Sequence, residues 1–245
     1  MKPKIAVFEF SSCEGCQLMF ANLEDEILEV LGAVEIVNFR EIMTEKGDDY
    51  QIAFVEGAIT RESEIERLKK IREQAKVLVA LGACAHLGGV NCMKNYQDQE
   101  EVRRYVYRER AEWSDTIPAR PLSAVVPVDY AVPGCPIDKK ELLEVTKSLL
   151  LGKKPSLPDY PVCVECKMAE NICVFDKGMT CLGPVTRAGC AAICPTFGNK
   201  CEGCRGLVDN PNVNSHKQVL QEHGLSVQGI LNSFRMFEGY LEVAK

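Results

Sequence analysis

No run of apolar residues in this 245-residue chain approaches the ~20 needed to cross a bilayer, so a membrane-spanning helix is not expected. The opening "IAVF" is too short for the apolar stretch of an export signal, Glu9 interrupts it, and no twin arginine precedes Cys13. A cytoplasmic location is the expectation. Positive charge is also scarce: 29 Lys and Arg against 35 Asp and Glu leave a formal net charge of −6. That balance argues against the basic face that nucleic acid or an anionic membrane requires, and points to protein partners. A G-x-G-x-x-G after a strand, a P-loop and an H-E-x-x-H are all missing; "GACAHLGG" is rich in glycine but lacks the dinucleotide spacing. Neither flavin nor nicotinamide is expected on this chain. A folded core is well within reach, because 46% of the residues are apolar and mean hydropathy is near zero. One large domain or two modest ones would fit.

What the chain has in excess is cysteine, thirteen in all. A reducing compartment does not favour structural disulfides, and the count is odd, so metal ligation is the default reading. Five cysteines (Cys13, Cys16, Cys84, Cys92, Cys135) are spread through the first 150 residues. Eight (Cys163, Cys166, Cys173, Cys181, Cys190, Cys194, Cys201, Cys204) crowd into 42. Between them, "LLGKKPSLPDYP" reads as a boundary, separating a domain over 1–155 from a smaller one over 156–245.

Before that boundary, strand and helix patterns alternate. "KIAVFEF", "VEIVNF", "YQIAFVEGAI", "KVLVALGACA" and "SAVVPVDYAV" read as strands. "CQLMFANLEDEILEVLG", "TRESEIERLKKIREQA" with a Thr cap, a charged stretch around 98–112 and residues 138–151 read as helices. The alternation predicts an α/β fold, a doubly wound parallel sheet with helices on both faces. Ligands of such sheets sit beyond the carboxyl ends of the strands. Cys13 and Cys16 follow the first strand, Cys84 follows "VLVAL" and Cys135 lies in "PGCP" after the last, so all four can converge on one edge. Gly15, Gly82 and Gly134 beside them permit tight turns and close approach of backbone amides to thiolate or sulfide. Four thiolates suit zinc or a 4Fe-4S cluster equally by ligand count.

The later segment, "CVECKMAENICVFDKGMTCLGPVTRAGCAAICPTFGNKCEGC", is nearly all ligand and turn. Its eight cysteines make two sets of four, and the C-x3-C-P from Cys190 to Pro195 matches the end of a bacterial ferredoxin run, without the preceding C-x2-C-x2-C. So little apolar periodicity implies that metal binding supplies folding energy.

Taken together, "SCEGC", "VEGAI", "LGACA", "PGCP", "CLGP" and "KCEGC" give the whole chain a resemblance to the small, electron-transferring subunit of nickel-iron hydrogenases. It looks most like the cytoplasmic group whose partners reduce NAD(P), sulfur, a deazaflavin or heterodisulfide-linked acceptors. The resemblance implies a flavodoxin-like first domain whose Cys13, Cys16, Cys84 and Cys135 bind a proximal 4Fe-4S cluster near the nickel-iron centre of a separate large subunit. Carried over by position, Cys163, Cys166, Cys173 and Cys181 resemble ligands of a distal cluster, and Cys190, Cys194, Cys201 and Cys204 those of a medial one. Uptake-type members of the family have a distal histidine and a three-cysteine medial site. Here Cys163 or Cys166 stands in for the histidine and Cys194 adds a fourth medial ligand, which implies three 4Fe-4S clusters of low potential. Ferredoxin-style exchange of ligands between the last two sets leaves their pairing open. The implied function is hydrogenase electron transfer, between the large subunit and a diaphorase or other iron–sulfur or flavin acceptor subunit, with no catalytic residue on this chain.

Two other readings stand beside this one: an electron-transfer module related to the complex I subunit next to quinone, and a structural zinc protein. Cys13 and Cys16 alone would also suit a thiol–disulfide pair at a helix start. Cys92, the thirteenth cysteine, reads as a buried thiol. Glu56 reads as a supporting or proton-relaying carboxylate near the proximal cysteines or as a structural one, Glu14 as the same or, more simply, an exposed turn residue, and His86 as a group facing the partner or a cluster sulfide or, more simply, an ordinary polar residue in a turn. His216 and His223 carry no signal. The charged helices read as solvated faces, and 215–243 as one or two helices packed on the cysteine-rich domain or on a partner or, more simply, into the core.

Overall fold

The structure, a computed structural model, describes residues 2–23, 26 and 32–243. Alternation along the strands divides the core in two. In β1 (Lys4–Glu9), Ile5 and Val7 face one side and Ala6 and Phe8 the other; in β3 (Ile52–Glu56), Ile52 and Phe54 oppose Ala53 and Val55. β5 (Val77–Leu81) does the same. A sheet apolar on both faces needs cover on both, and receives it. α1 (Gly15–Ala21) and α5 (Lys139–Leu150) bring Phe20, Leu142 and Val145 to the first face; α2 (Glu62–Gln74) brings Leu68 and Ile71 to the second. The sheet, completed by β2 (Glu35–Phe39) and β7 (Tyr130–Val132), runs in the order β2-β1-β3-β5-β7 with every pairing parallel. This is the doubly wound α/β fold that the alternation predicts, in the flavodoxin-like form that the resemblance implies. Its direction switches between β1 and β3, where the carboxyl ends leave a crevice.

Several elements differ from expectation. The run "YQIAFVEGAI" breaks at Gly57 (φ +99°), where a Cβ would collide with the Phe10 backbone; the chain resumes as β4 (Ile59–Arg61). β4 pairs antiparallel with β6 (Thr116–Arg120), which Pro118 hides from a strand reading. "SAVVPVDYAV" is a strand only at its end, the rest being a 3₁₀ turn at Leu122–Ala124 and loop. "KVLVALGACA" is a strand only to Leu81, after which Gly82–Leu87 form α3. Thr60 does not cap α2; the Glu64 carboxylate instead accepts the Thr60 and Arg61 amides at 2.7 and 3.1 Å. Of the helix expected over 16–32, positions 24, 25 and 27–31 lie outside the described residues. The charged stretch around 98–112 forms α4 (Gln99–Tyr107), which buries no residue, and a 3₁₀ segment, Arg108–Trp113.

The cysteine-rich segment folds beside α5 with little regular structure: α6 (Val162–Met168), a 3₁₀ turn at Val174–Lys177 and α7 (Ile193–Thr196). One small core cluster joins its buried Val162, Val174, Cys181, Ala192 and Cys201. α8 (Val213–Glu222) and α9 (Val227–Val243) follow, two helices as expected. α9 packs on α3 and the 3₁₀ segment Gly89–Tyr96, and the Tyr96 hydroxyl donates to the Gly239 carbonyl at 2.6 Å. Among the described residues no helix is long and apolar enough to cross a membrane.

Candidate metal centre

Glu9, Glu56, Leu81 and Val132 stand in register at the carboxyl edge of four neighbouring strands. Just beyond that edge come Cys13 and Cys16, then Cys84, then Cys135, with Glu56 between them at the end of β3. The four thiols are close enough to affect one another: Cys84, whose thiol burial pushes up to about 12, is raised further by Cys135, Cys13 and Glu56. The Cys16 thiol is raised by burial and then by Glu56, against an amide bond from Ile137. Gly82 (φ +78°) leaves Cys16 its place, since a Cβ there would strike the sulfur; the Ala83 amide then donates to the Gly134 carbonyl at 2.7 Å, tying "LGACA" to "PGCP".

Glu56, 2% exposed, accepts the amides of Cys16 and Gln17, each at 3.1 Å. It therefore caps α1, whose own N-cap residue Glu14 makes no side-chain cap. Burial raises the Glu56 pKa and the two amides oppose the rise. Glu14 is partly buried, not exposed, in a left-handed turn (φ 61°). His86 lies in the last turn of α3, its pKa lowered by burial and by Arg187 and Arg205. Cys92 is fully buried, its thiol donating to the Ala119 carbonyl at 3.3 Å.

In the later segment, Cys163, Cys166, Cys173 and Cys181 gather around α6; burial pushes the Cys163 thiol up to about 11, and the other three raise it further. Cys181 Sγ accepts the amides of Cys201 and Gly183 at 3.2 and 3.4 Å. Cys190, Cys194, Cys201 and Cys204 line a single cavity of about 380 Å³ with Cys135 and Arg205 also on its wall. Two contacts join the three sets end to end. The Cys135 amide donates to Cys204, which burial lifts to about 11, and Cys201 lies beside Cys181.

Four residues were not legible as site residues. Arg205 and Glu141 form a buried pair at the cavity, Glu165 accepts the Gly189 and Ala192 amides at 2.8 and 3.2 Å, and His216 is buried against the Cys181 backbone. Glu141 did leave a sign, a charge on the buried stripe of α5 beside Leu142 and Val145. His223 joins His216 around the Phe175 ring, so both take part in packing.

The donors fit a metal–sulfur group. All thirteen cysteines are free, so no disulfide joins Cys13 to Cys16. Amides aimed at sulfur stabilise charged ligands, and buried thiols with raised pKa values exchange protons for metal rather than ionise alone. Among the described residues, no three His, Cys, Asp or Glu side chains gather closely enough for a single ion.

The family model of the NADH ubiquinone oxidoreductase, 20 Kd subunit, matches residues 13–149 and stops before the cysteine-rich segment. Sulfhydrogenase 2 subunit delta of Pyrococcus furiosus is 38% identical, over 89% of this chain and 92% of its own. The solved NAD⁺-reducing [NiFe]-hydrogenase in its H2-reduced state has a chain similar at TM-score 0.59 and 26% identity, covering 64% of this chain and 96% of that one. The actinobacterial-type NiFe-hydrogenase from Ralstonia eutropha H16 extends the fold likeness to 99% of this chain and 90% of that one, at TM-score 0.58 and 17% identity. The chain belongs to the NADH ubiquinone oxidoreductase 20 Kd subunit family, on the side of the nickel-iron hydrogenase small subunits, and is an oxidoreductase subunit.

Proposed function

We propose that this chain is the iron–sulfur subunit of a cytoplasmic nickel-iron hydrogenase and relays electrons between the large subunit and an acceptor subunit carrying flavin or further clusters. The observation that carries the reading is the end-to-end contact of three four-thiol sets, through Cys135–Cys204 and Cys201–Cys181. On this reading Cys13, Cys16, Cys84 and Cys135 hold a proximal 4Fe-4S cluster, Cys190, Cys194, Cys201 and Cys204 a medial one, and Cys163, Cys166, Cys173 and Cys181 a distal one. Residues 1–155 form the proximal domain and 156–245 the domain of the other two.

When bound, the clusters supply one-electron carriers at low potential. The protein holds their ligands and shapes their surroundings. Glu56 fixes the amides of Cys16 and Gln17, and Gly82 leaves room for the Cys16 sulfur. Arg205 fixes the turn after Cys204. Cys13 and Cys135 are exposed, which suits a proximal site completed by the surface of a partner. The medial cavity, about 380 Å³, has room for a polyatomic group.

The test is a stepwise anaerobic reduction of the native complex followed by electron paramagnetic resonance. Three 4Fe-4S signals, all reducible by hydrogen, support the reading. Zinc in place of these signals discards it, and cluster signals in a complex without nickel leave the complex I-like alternative.

A further inference from the structure

Arg205 is the largest side chain buried below 2% exposure, at 1%. Its guanidinium makes three bonds to three remote segments. Nε donates to the Ala188 carbonyl at 2.8 Å, Nη1 to the Pro133 carbonyl at 2.7 Å and Nη2 to Glu141 Oε1 at 2.6 Å. Pro133 leads into Cys135, Ala188 into Cys190, and Arg205 itself follows Cys204. The Cys190 loop is built around the group: at Gly189 (φ +112°) a Cβ would strike both Arg205 and Glu141.

The charges around Cys190 are unequal in burial. Arg205 faces the cavity, with Glu141 (6% exposed) behind it and one oxygen, Oε2, without a hydrogen-bond partner. Glu165 also approaches Cys190, its Oε2 4.0 Å from the sulfur. Arg187 is engaged by Asp209 and the Pro158 carbonyl. An ion pair this deep is a poor source of stability compared with apolar packing of the same volume. Its placement at a wall shared with five cysteines calls for another role.

Resting on the cluster assignment proposed above, we infer that Arg205 is a positioning residue for the medial cluster. It pins the Cys204 turn to the proximal "PGCP" segment and supplies the fixed positive charge facing the Cys190, Cys194, Cys201 and Cys204 site. A cation held in low dielectric stabilises the reduced, more negative state and so raises the midpoint potential of that cluster. Glu141 moderates this effect from behind.

The experiment is a potentiometric titration of the three cluster signals in the anaerobically purified complex, with iron content measured alongside. Arg205→Met should shift the medial midpoint to lower potential with iron retained and the distal midpoint unmoved. Arg205→Lys should restore the midpoint toward wild type although the three-point clamp is lost. Glu141→Gln should shift the same midpoint upward. A purely structural clamp would lower thermal stability in Arg205→Met and Arg205→Lys alike with the medial midpoint unchanged, and that result overturns the inference. If Arg205→Met loses its clusters, Glu141→Gln decides: a rise supports the inference and an unchanged midpoint refutes it. A wild-type complex without a third signal overturns the cluster assignment itself, which separates the two failures.

Discussion

Glu238→Gln isolates one buried carboxyl. Glu238 lies on α9 at the residue whose backbone leaves the helical range (φ −108°, ψ 19°) and accepts the Leu207 amide, three residues after Cys204. Its recess is walled by Leu182, Val185, Phe234 and Phe237; Glu202, paired with Lys200 at 3.3 Å, also lines it. Burial lifts the Glu238 pKa from 4.5 to about 7, against the pull of the Leu207 amide. The folded state therefore holds this proton more tightly than the unfolded chain. Below 4.5 both states are protonated and the residue costs nothing; between 4.5 and about 7 only the unfolded state gives up its proton and the cost accrues, and above about 7, where the folded state is ionised too, the penalty is complete. At about 1.4 kcal/mol per pKa unit the penalty is on the order of 3 kcal/mol, reduced to about 2 by residual solvent access. Glutamine keeps the acceptor for Leu207 and removes the charge. The variant complex should thus melt close to the wild type at pH 4 and roughly 4–8 °C above it at pH 8, measured by anaerobic calorimetry at one scan rate. An equal shift at both pH values, or a lower melting point at pH 8, would refute the reasoning.

Three further changes probe the thiol sites. Gly82→Ala places a methyl group against the Cys16 sulfur at a positive φ, and should remove about four irons while the other two cluster signals persist. Cys13→Ser should abolish hydrogen-dependent electron transfer through the subunit, or assembly of the complex; a fully loaded, active variant would sink the proximal assignment. Cys92→Ala should keep the full iron content and lower stability by only about 1 kcal/mol, read as a small drop in melting temperature.

The sheet was legible because its central strands, β1, β3 and β5, are buried on both faces and read as plain apolar runs, and the candidate proximal site because Cys13, Cys16, Cys84 and Cys135 come after strand-like runs. What the runs hid was their ends. "VEGAI" and "LGACA" continue apolar past the points where Gly57 and Gly82 turn the chain, so periodicity carried the strands too far. Pro118 concealed β6, whose pairing with β4 is a tertiary choice. Arg205, Glu141 and His216 act across segments remote in sequence, and neither composition nor local spacing can bring Arg205 to Pro133 or His216 to Cys181. Spacing named the candidate ligands, and only the fold brought Arg205, Glu141 and His216 beside them.

The central claim is that this chain carries three clusters wired to a nickel-iron partner. The most direct test is anaerobic analysis of metal and acid-labile sulfide in the native complex isolated through this subunit. About twelve irons and about twelve sulfides per copy of this chain, beyond the partners' own metals and with nickel present, is the result the account predicts. Zinc without sulfide would contradict it.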